Sequence, residues 1–464
     1  MQIDDLIELA KRVQAQQAEA KTVEVKAAHR GCPSKLRDTL SSFSNQNSGG
    51  ILLFGLDENE HFAAVGVYDL QDLQKKVTEQ CNQMQPPVRA LFTTAEYEGV
   101  WICSAEIPSV AYSERPCYYI GAGIQNGSYV RVGDADRHMT DYEIYCFEAY
   151  RNHMHDDERV IERATADFLD KDLLNAFLTE RRISRPQFAQ MNDMQAMEML
   201  SITRNGVPTI AGLLNFCVYP QGFLPELGIT GIVVPGTEIG DTADSGARFL
   251  DNKRMEGTIS NMFSEAMAFC MRNMKTATII DQETGKRCDK TEYPVSAIRE
   301  AVLNALIHRD YSIYTEGTPI QIDFFSDRLE IHSPGSLYGR MSVEDLGFAH
   351  PDARNPVLAV MTESLTDAEH RYSGIPTMRR AMQEAGLPLR YLSTGKMSLW
   401  LYCTIIRLNP KIRLSQAMQQ TKQPHFCNSA AHRAPARKLQ TFSVSELCTT
   451  PTSAIFSRWL RRAG

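Results

Sequence analysis

Glu300, Asn304 and His308 stand four residues apart in the run from Pro294 to Tyr311. On a helix, that interval puts all three on one stripe. Val295, Ile298, Val302 and Leu306 form an apolar stripe elsewhere on the same helix, as burial of one side requires. A carboxylate and an amide that face inward need polar partners, and a metal–phosphate group suits both. The competing reading is a helix whose polar stripe is satisfied by neighbouring protein. A second group lies near the start of the chain: Glu19, Glu24, Lys26 and, beyond a Gly49-Gly50 pair, Asp57. Side chains repeat every two residues on a strand, so Glu24 and Lys26 share a face. Lys26 is then placed either to pair with Glu24 or to meet a phosphate. On the plainer reading the pair is all there is, and Asp57 begins a turn.

The elements that must position these groups follow from periodicity. Leu6, Ile7, Leu9, Ala10 and Val13 recur at helical spacing over 4–14, and a short strand is expected over 21–26. Ser34 reads as the N-cap of a helix reaching about Asn45. Gly49-Gly50 permits the positive φ needed where that helix reverses into the apolar strand 51–56. A helix over 69–84, a hairpin of 89–95 with 100–107, a strand at 129–132 and a closing helix over 139–153 complete a mixed α/β unit. Residues 155–185 read as a charged helical connector. Further on, a strand at 228–234, helices over 257–273 and from Pro294, strands at 319–325 and 329–332, and a last strand at 398–408 are expected.

These patterns resemble two known families. The spacing Glu19, Glu24, Lys26, then Asn45, Gly49-Gly50 and an apolar strand ending at Asp57 resembles the AlbA-like domain of the Schlafen family. Arg115-Pro116 and the Tyr129–Gly133 stretch, which contains Arg131, fit the same likeness over roughly residues 15–150. The resemblance implies nucleic-acid binding, with Lys26, Lys35, Arg37 and Arg131 as phosphate contacts. Arg30 and Arg137 could join them. Many prokaryotic relatives are described as DNA-binding regulators. In some Schlafen-type domains, carboxylates corresponding to Glu19, Glu24 and Asp57 form an RNA-cleaving site. Three carboxylates could hold Mg²⁺ or Mn²⁺ there and polarise a phosphodiester.

The run from Glu300 to Tyr311, with Arg328–Ile331, Ser333-Pro334-Gly335, Arg354-Asn355-Pro356 and Ser373-Gly374-Ile375, resembles the C-terminal ATP-binding domain of RecG-related transcriptional regulators. That domain belongs to the GHKL class, a helix-on-sheet sandwich. The resemblance implies ATP with Mg²⁺ as cofactor and Asn304 as metal ligand, with Glu300 orienting or deprotonating the attacking water. His308, Gly335, Ser373 and Gly374 would complete the nucleotide site. Two departures bear on turnover: Ser333 stands where relatives have Asn, and Tyr372 where they have the first Gly of a phosphate loop.

The expected architecture is therefore α+β, or mixed α/β. A Schlafen AlbA-like domain over 15–150 is followed by a helical connector at 151–193, a GHKL-like domain over 194–408 and a basic, disordered tail at 409–464. The tail carries nine Lys or Arg, among them Arg461 and Arg462, against the single acid Glu446, although the whole chain has net charge −7. Nucleic-acid contact must then come from a local basic face. Eleven cysteines without a C-x-x-C pair argue against a disulfide framework or a zinc site. No apolar run approaches the roughly 20 residues of a membrane span, and a reducing cytoplasm is the simplest home. A homo-oligomer is compatible with the sequence. Three functions are weighed: a DNA-binding transcriptional regulator with an ATP-binding domain, a metal-dependent endoribonuclease, and a non-catalytic interaction protein.

Overall fold

The strand Gly50–Phe54 (β2) is almost wholly apolar, and Leu52, Leu53 and Phe54 are all fully buried. A strand reads this way when both faces are covered. In the computed structural model, which describes residues 1–280, 287–342, 345–348, 352–366, 374–387, 389–390 and 404–406, one face meets the helix Ile3–Gln16 (α1) through Leu6, Leu9, Ala10 and Val13. The other meets the helix Arg37–Asn45 (α2) and the helix Leu70–Cys81 (α3) through Leu40, Phe43, Leu73 and Val77. β2 pairs parallel with Val23–Lys26 (β1) and antiparallel with Val100–Ile107 (β4), which pairs with Leu91–Tyr97 (β3). The sheet order is β1-β2-β4-β3.

The turn between α2 and β2 requires its glycines. Gly49 sits at φ +64°, and a Cβ there would lie 2.4 Å from the Ile107 carbonyl oxygen. One on Gly50 would lie 2.2 Å from the Phe43 ring. Neither neighbour is a loose side-chain end, so larger residues would move the strand or the core. A hairpin of Tyr129–Val132 (β5) and Ala135–His138 (β6) packs on α2. The helix Asp141–Arg151 (α4), started by a capping box between Thr140 and Glu143, follows.

The second half is built on a six-stranded sheet. Its central parallel pair is Ile229–Val233 (β7) with Ile320–Phe324 (β9). Asp251–Met255 (β8) flanks β7, and Arg328–His332 (β10) flanks β9. Beyond β10 lie Thr404–Ile406 and Leu389–Arg390. The helices Ile259–Asn273 (α5) and Val295–His308 (α6) pack against the sheet and each other. The helices Pro356–Thr366 (α7) and Gly374–Glu384 (α8) pack on α6. This is a mixed helix-and-sheet chain with helices laid on a sheet in its C-terminal half. Residues 151–193 give Ile161, Leu169, Phe177, Leu178 and Phe188 to the same core as α5 and α6. Met1–Leu408 pack as one unit. The basic segment from 409, with Tyr372 and Ser373, lies outside the described residues. No helix among the described residues is long and apolar enough to cross a membrane.

Candidate functional site

The helix α6 forms, and Ile298, Val302 and Leu306 of its expected apolar stripe are buried with Ala297, Ala301 and Ala305, whereas Val295 at its first turn is exposed. Glu300 and Asn304 are half-buried on another stripe, and the Asn304 amide donates to Glu300 Oε1 at 3.2 Å. Burial raises the Glu300 pKa, and the Asn304 hydrogen bond partly offsets it. Gly374, the first residue of α8, closes on this pair: a Cβ there would stand 1.9 Å from Glu300 Oε1. Thus two segments 74 residues apart in sequence (300 and 374) meet at one carboxylate. His308, at the exposed end of α6, completes the expected stripe. Gly374 thus packs directly on the Glu300 carboxylate, and a carboxylate beside an amide offers the oxygen donors that a magnesium ion takes.

Gly335 is placed otherwise than expected. It sits at φ +108°, and its missing Cβ would lie 2.2 Å from Asp310 Cβ and 3.2 Å from Arg354 Nη1. Its small size is used for protein packing. Around it the remaining motifs interlock. Arg354 Nη1 meets Asp310 Oδ2 at 2.5 Å, and the Asp310 amide donates to the Pro334 carbonyl at 2.9 Å. Ser333 Oγ donates to the Ala305 carbonyl at 3.0 Å. The Asn355 side-chain amide donates to the carbonyls of Ile307 and Arg309 at 2.8 and 2.7 Å, satisfying acceptors that the end of α6 leaves open. These motifs brace the end of the Glu300–Asn304 helix.

In the N-terminal half the expected phosphate contact Arg131 is buried, with 1% of its side chain exposed. Its guanidinium meets Glu24 Oε2 at 2.8 Å, Asp136 Oδ1 at 3.0 Å and Glu19 Oε2 at 3.6 Å, and lies over the Phe43 ring. A buried charge survives only when so compensated. Lys26 pairs with Glu24. Asp57 turns elsewhere: its Oδ1 caps a short helix, accepting from the Asn59 backbone and side chain at 3.0 and 3.2 Å. Glu19 and Glu24 line a cleft of about 520 Å³ with Glu58, His61, Phe62 and Asp134. Burial pushes Glu19 up to about 7, the Val25 amide bond partly opposing and the Glu24 charge adding. Among the described residues, no group of three or more His, Cys, Asp or Glu side chains is arranged to hold a metal ion. As disposed here, the donor set Glu19, Glu24 and Asp57 serves an internal arginine and a helix cap.

Lys35, Arg30 and Arg137 are exposed. Arg37 is partly exposed, its guanidinium 4.8 Å from the Tyr119 ring centre. The residue that sequence reading missed is Asp136, which accepts from Thr39 and Ser42 of α2 at 2.7 and 2.6 Å as well as from Arg131. Its only sequence signal is a hairpin register that sets it opposite Arg131. Asn45, the last residue of α2, does not merely end the helix. Its side chain clamps the chain at Cys117, exchanging hydrogen bonds with that residue's N–H and C=O at 2.7 and 2.9 Å.

These two halves define a protein with a Schlafen-type domain and an ATPase-like domain. Residues 19–140 match the family "Schlafen, AlbA_2", and residues 317–402 match the family "Putative ATP-dependent DNA helicase recG C-terminal". The chain thus carries a Schlafen AlbA_2 domain at its N-terminal end and a RecG C-terminal-type ATPase-like domain toward the other, the domain types of a nucleic-acid-associated, ATP-binding protein. The helix α6 precedes the second matched stretch. Among solved structures, a Corynebacterium diphtheriae protein is similar at 18% identity, covering 90% of this chain and 83% of its own, with TM-score 0.42. Another is the N-terminal domain of a "Putative ATP-dependent DNA Helicase RecG-related Protein" from Nitrosomonas europaea. It shows 22% identity, covers 29% of this chain and 93% of its own, and has TM-score 0.24. No curated protein matches.

Proposed function

We propose that the chain is a DNA-binding transcriptional regulator whose C-terminal domain binds ATP with Mg²⁺. The observation that carries the nucleotide part is the Glu300–Asn304 pair on α6 with Gly374 held against it. Asn304 would ligate the metal, and Ser373 and Gly374 would present backbone to phosphate, with His308 at the rim. Bound Mg²⁺ would neutralise phosphate charge. Glu300, its pKa raised by burial, would orient water. DNA phosphates would meet Lys35 and Arg37, with Lys26, Arg30 and Arg137 beside them, because these cations reach solvent while Arg131 does not. The proposed division is a nucleic-acid-binding domain over 15–150, a helical segment over 151–193 and a nucleotide domain over 194–408, working in the cytoplasm. Titration calorimetry of the full chain with AMP-PNP and Mg²⁺ tests this reading. Binding that Asn304→Ala weakens at least about tenfold, about 1.4 kcal/mol, supports it. Equal affinity in both proteins, or none in the wild type, refutes it.

A further inference from the structure

We propose that α4 couples the nucleotide site to the Schlafen-type domain, with the Tyr142 hydroxyl as the positioning group. The inference rests on the ATP reading and adds a route for regulation. Three tyrosines on α4 each donate a hydroxyl hydrogen to an aspartate outside that helix. Tyr142 meets Asp310 Oδ2 at 2.6 Å, Tyr145 meets Asp156 Oδ1 at 2.6 Å, and Tyr150 meets Asp352 Oδ2 at 3.0 Å. Asp310 comes two residues after α6 ends at His308. Tyr142 therefore touches the continuation of the helix that carries Glu300 and Asn304. Its oxygen also accepts from the Ser336 amide at 3.1 Å, next to Gly335. Tyr142 and Asp310 are both buried, with 4% and 2% exposure, so water cannot replace the bond if the helix shifts.

The same helix also reaches the Schlafen-type domain. Phe147 and Tyr150 pack on Tyr112, with ring centres 5.2 and 4.8 Å apart. Three residues on, the Arg115 guanidinium lies over Tyr112 and donates to Asn47 at 2.9 Å, just beyond α2. The helix α2 begins at Arg37, one of the proposed DNA contacts. Two helices and a run of contacts, buried at Tyr142 and Asp310 and half-buried at Tyr112, Phe147 and Tyr150, thus join the two proposed binding sites. A movement of the α6 end on nucleotide binding would change the seat of Tyr142, and with it the seat of α4.

The test measures the Kd of the full chain for a fluorescein-labelled DNA duplex, with and without saturating AMP-PNP–Mg²⁺. In the wild type the nucleotide should shift this Kd about fivefold or more. Tyr142→Phe should lose most of the shift while each ligand alone binds within about twofold of wild type. Tyr145→Phe, whose partner is not on the α6 continuation, should keep it. The inference is overturned by an unshifted wild-type Kd, by a full shift in Tyr142→Phe, or by equal loss in Tyr145→Phe. Absence of AMP-PNP binding in the wild type would instead refute the nucleotide reading, and the coupling with it. Amide hydrogen exchange of wild-type 141–151 gives an answer independent of variant folding. Nucleotide should change its protection, and an unchanged profile overturns the coupling.

Discussion

Arg354 and Asp310 form an ion pair of 2.5 Å with only 8% and 2% of their side chains exposed. Burial opposes both charges, yet Arg354, with the Tyr142 and Ser312 hydrogen bonds, holds Asp310 below the usual carboxylate range. Asp310 in turn raises the Arg354 pKa against the opposing effect of burial. The pair joins the end of α6 to the Asn355-Pro356 start of α7 and leaves no room for a side chain at 335. Two of the motifs that carried the resemblance to the ATP-binding domain are thus occupied with holding the Glu300–Asn304 helix in place.

Removing one member of this pair should be far worse than removing both. Arg354→Met strands a buried carboxylate and is expected to cost about 3–5 kcal/mol. The Asp310→Asn, Arg354→Met double variant should recover part of that loss. Urea unfolding measures it, and a single-variant loss below about 1 kcal/mol would show that the pair is hydrated.

Glu19 predicts a pH dependence. Its pKa is raised from 4.5 to about 7 in the folded chain, so above 4.5 the unfolded state releases a proton that the folded state retains. The folded chain then binds more protons, and this group's contribution to stability declines as pH rises from 4.5 to about 7. Glu19→Gln should flatten that part of the profile. Unfolding free energies of both proteins across the window check it, and parallel profiles would contradict the assignment.

Gly374→Ala should push the Glu300 carboxylate aside, because the new methyl would meet Oε1 at 1.9 Å. The obstructed atom is the end of a flexible side chain, so the fold should survive with a nearly unchanged melting midpoint. Affinity for AMP-PNP–Mg²⁺ should nevertheless fall about tenfold. Unaltered affinity would mean that the carboxylate has no part in binding.

Cations at the surface and in the core should separate in DNA binding. Lys35→Ala and Arg37→Ala should each weaken binding alike across sequences and reduce the salt slope by about 1. Arg131→Ala should instead lower the unfolding midpoint, since it leaves Glu24 and Asp136 without their shared cation. Titrations at several salt concentrations distinguish the two. A salt slope unchanged in Lys35→Ala and Arg37→Ala would place the DNA elsewhere.

What the sequence alone determined was local: the helices 3–16, 37–45 and 295–308, the glycine turn, and the shared stripe of Glu300 and Asn304. Periods of 3.6 and 2 and the backbone freedom of glycine act within a few residues, so a single chain segment displays them. Tertiary structure alone decided who meets whom. The resemblance makes Arg131 a phosphate contact, because nothing local to its strand shows which acids lie beside it. Its cage joins Asp136 of its own hairpin to Glu19 and Glu24, from a segment more than a hundred residues earlier. The resemblance sets Gly335 at the nucleotide site, and nothing local to Ser333-Pro334-Gly335 shows that its missing side chain makes room for Asp310. The tyrosine–aspartate joint of α4 has no local signature at all, since its partners lie as far as 202 residues away. Long-range contacts of that kind exist only once the core has formed around them.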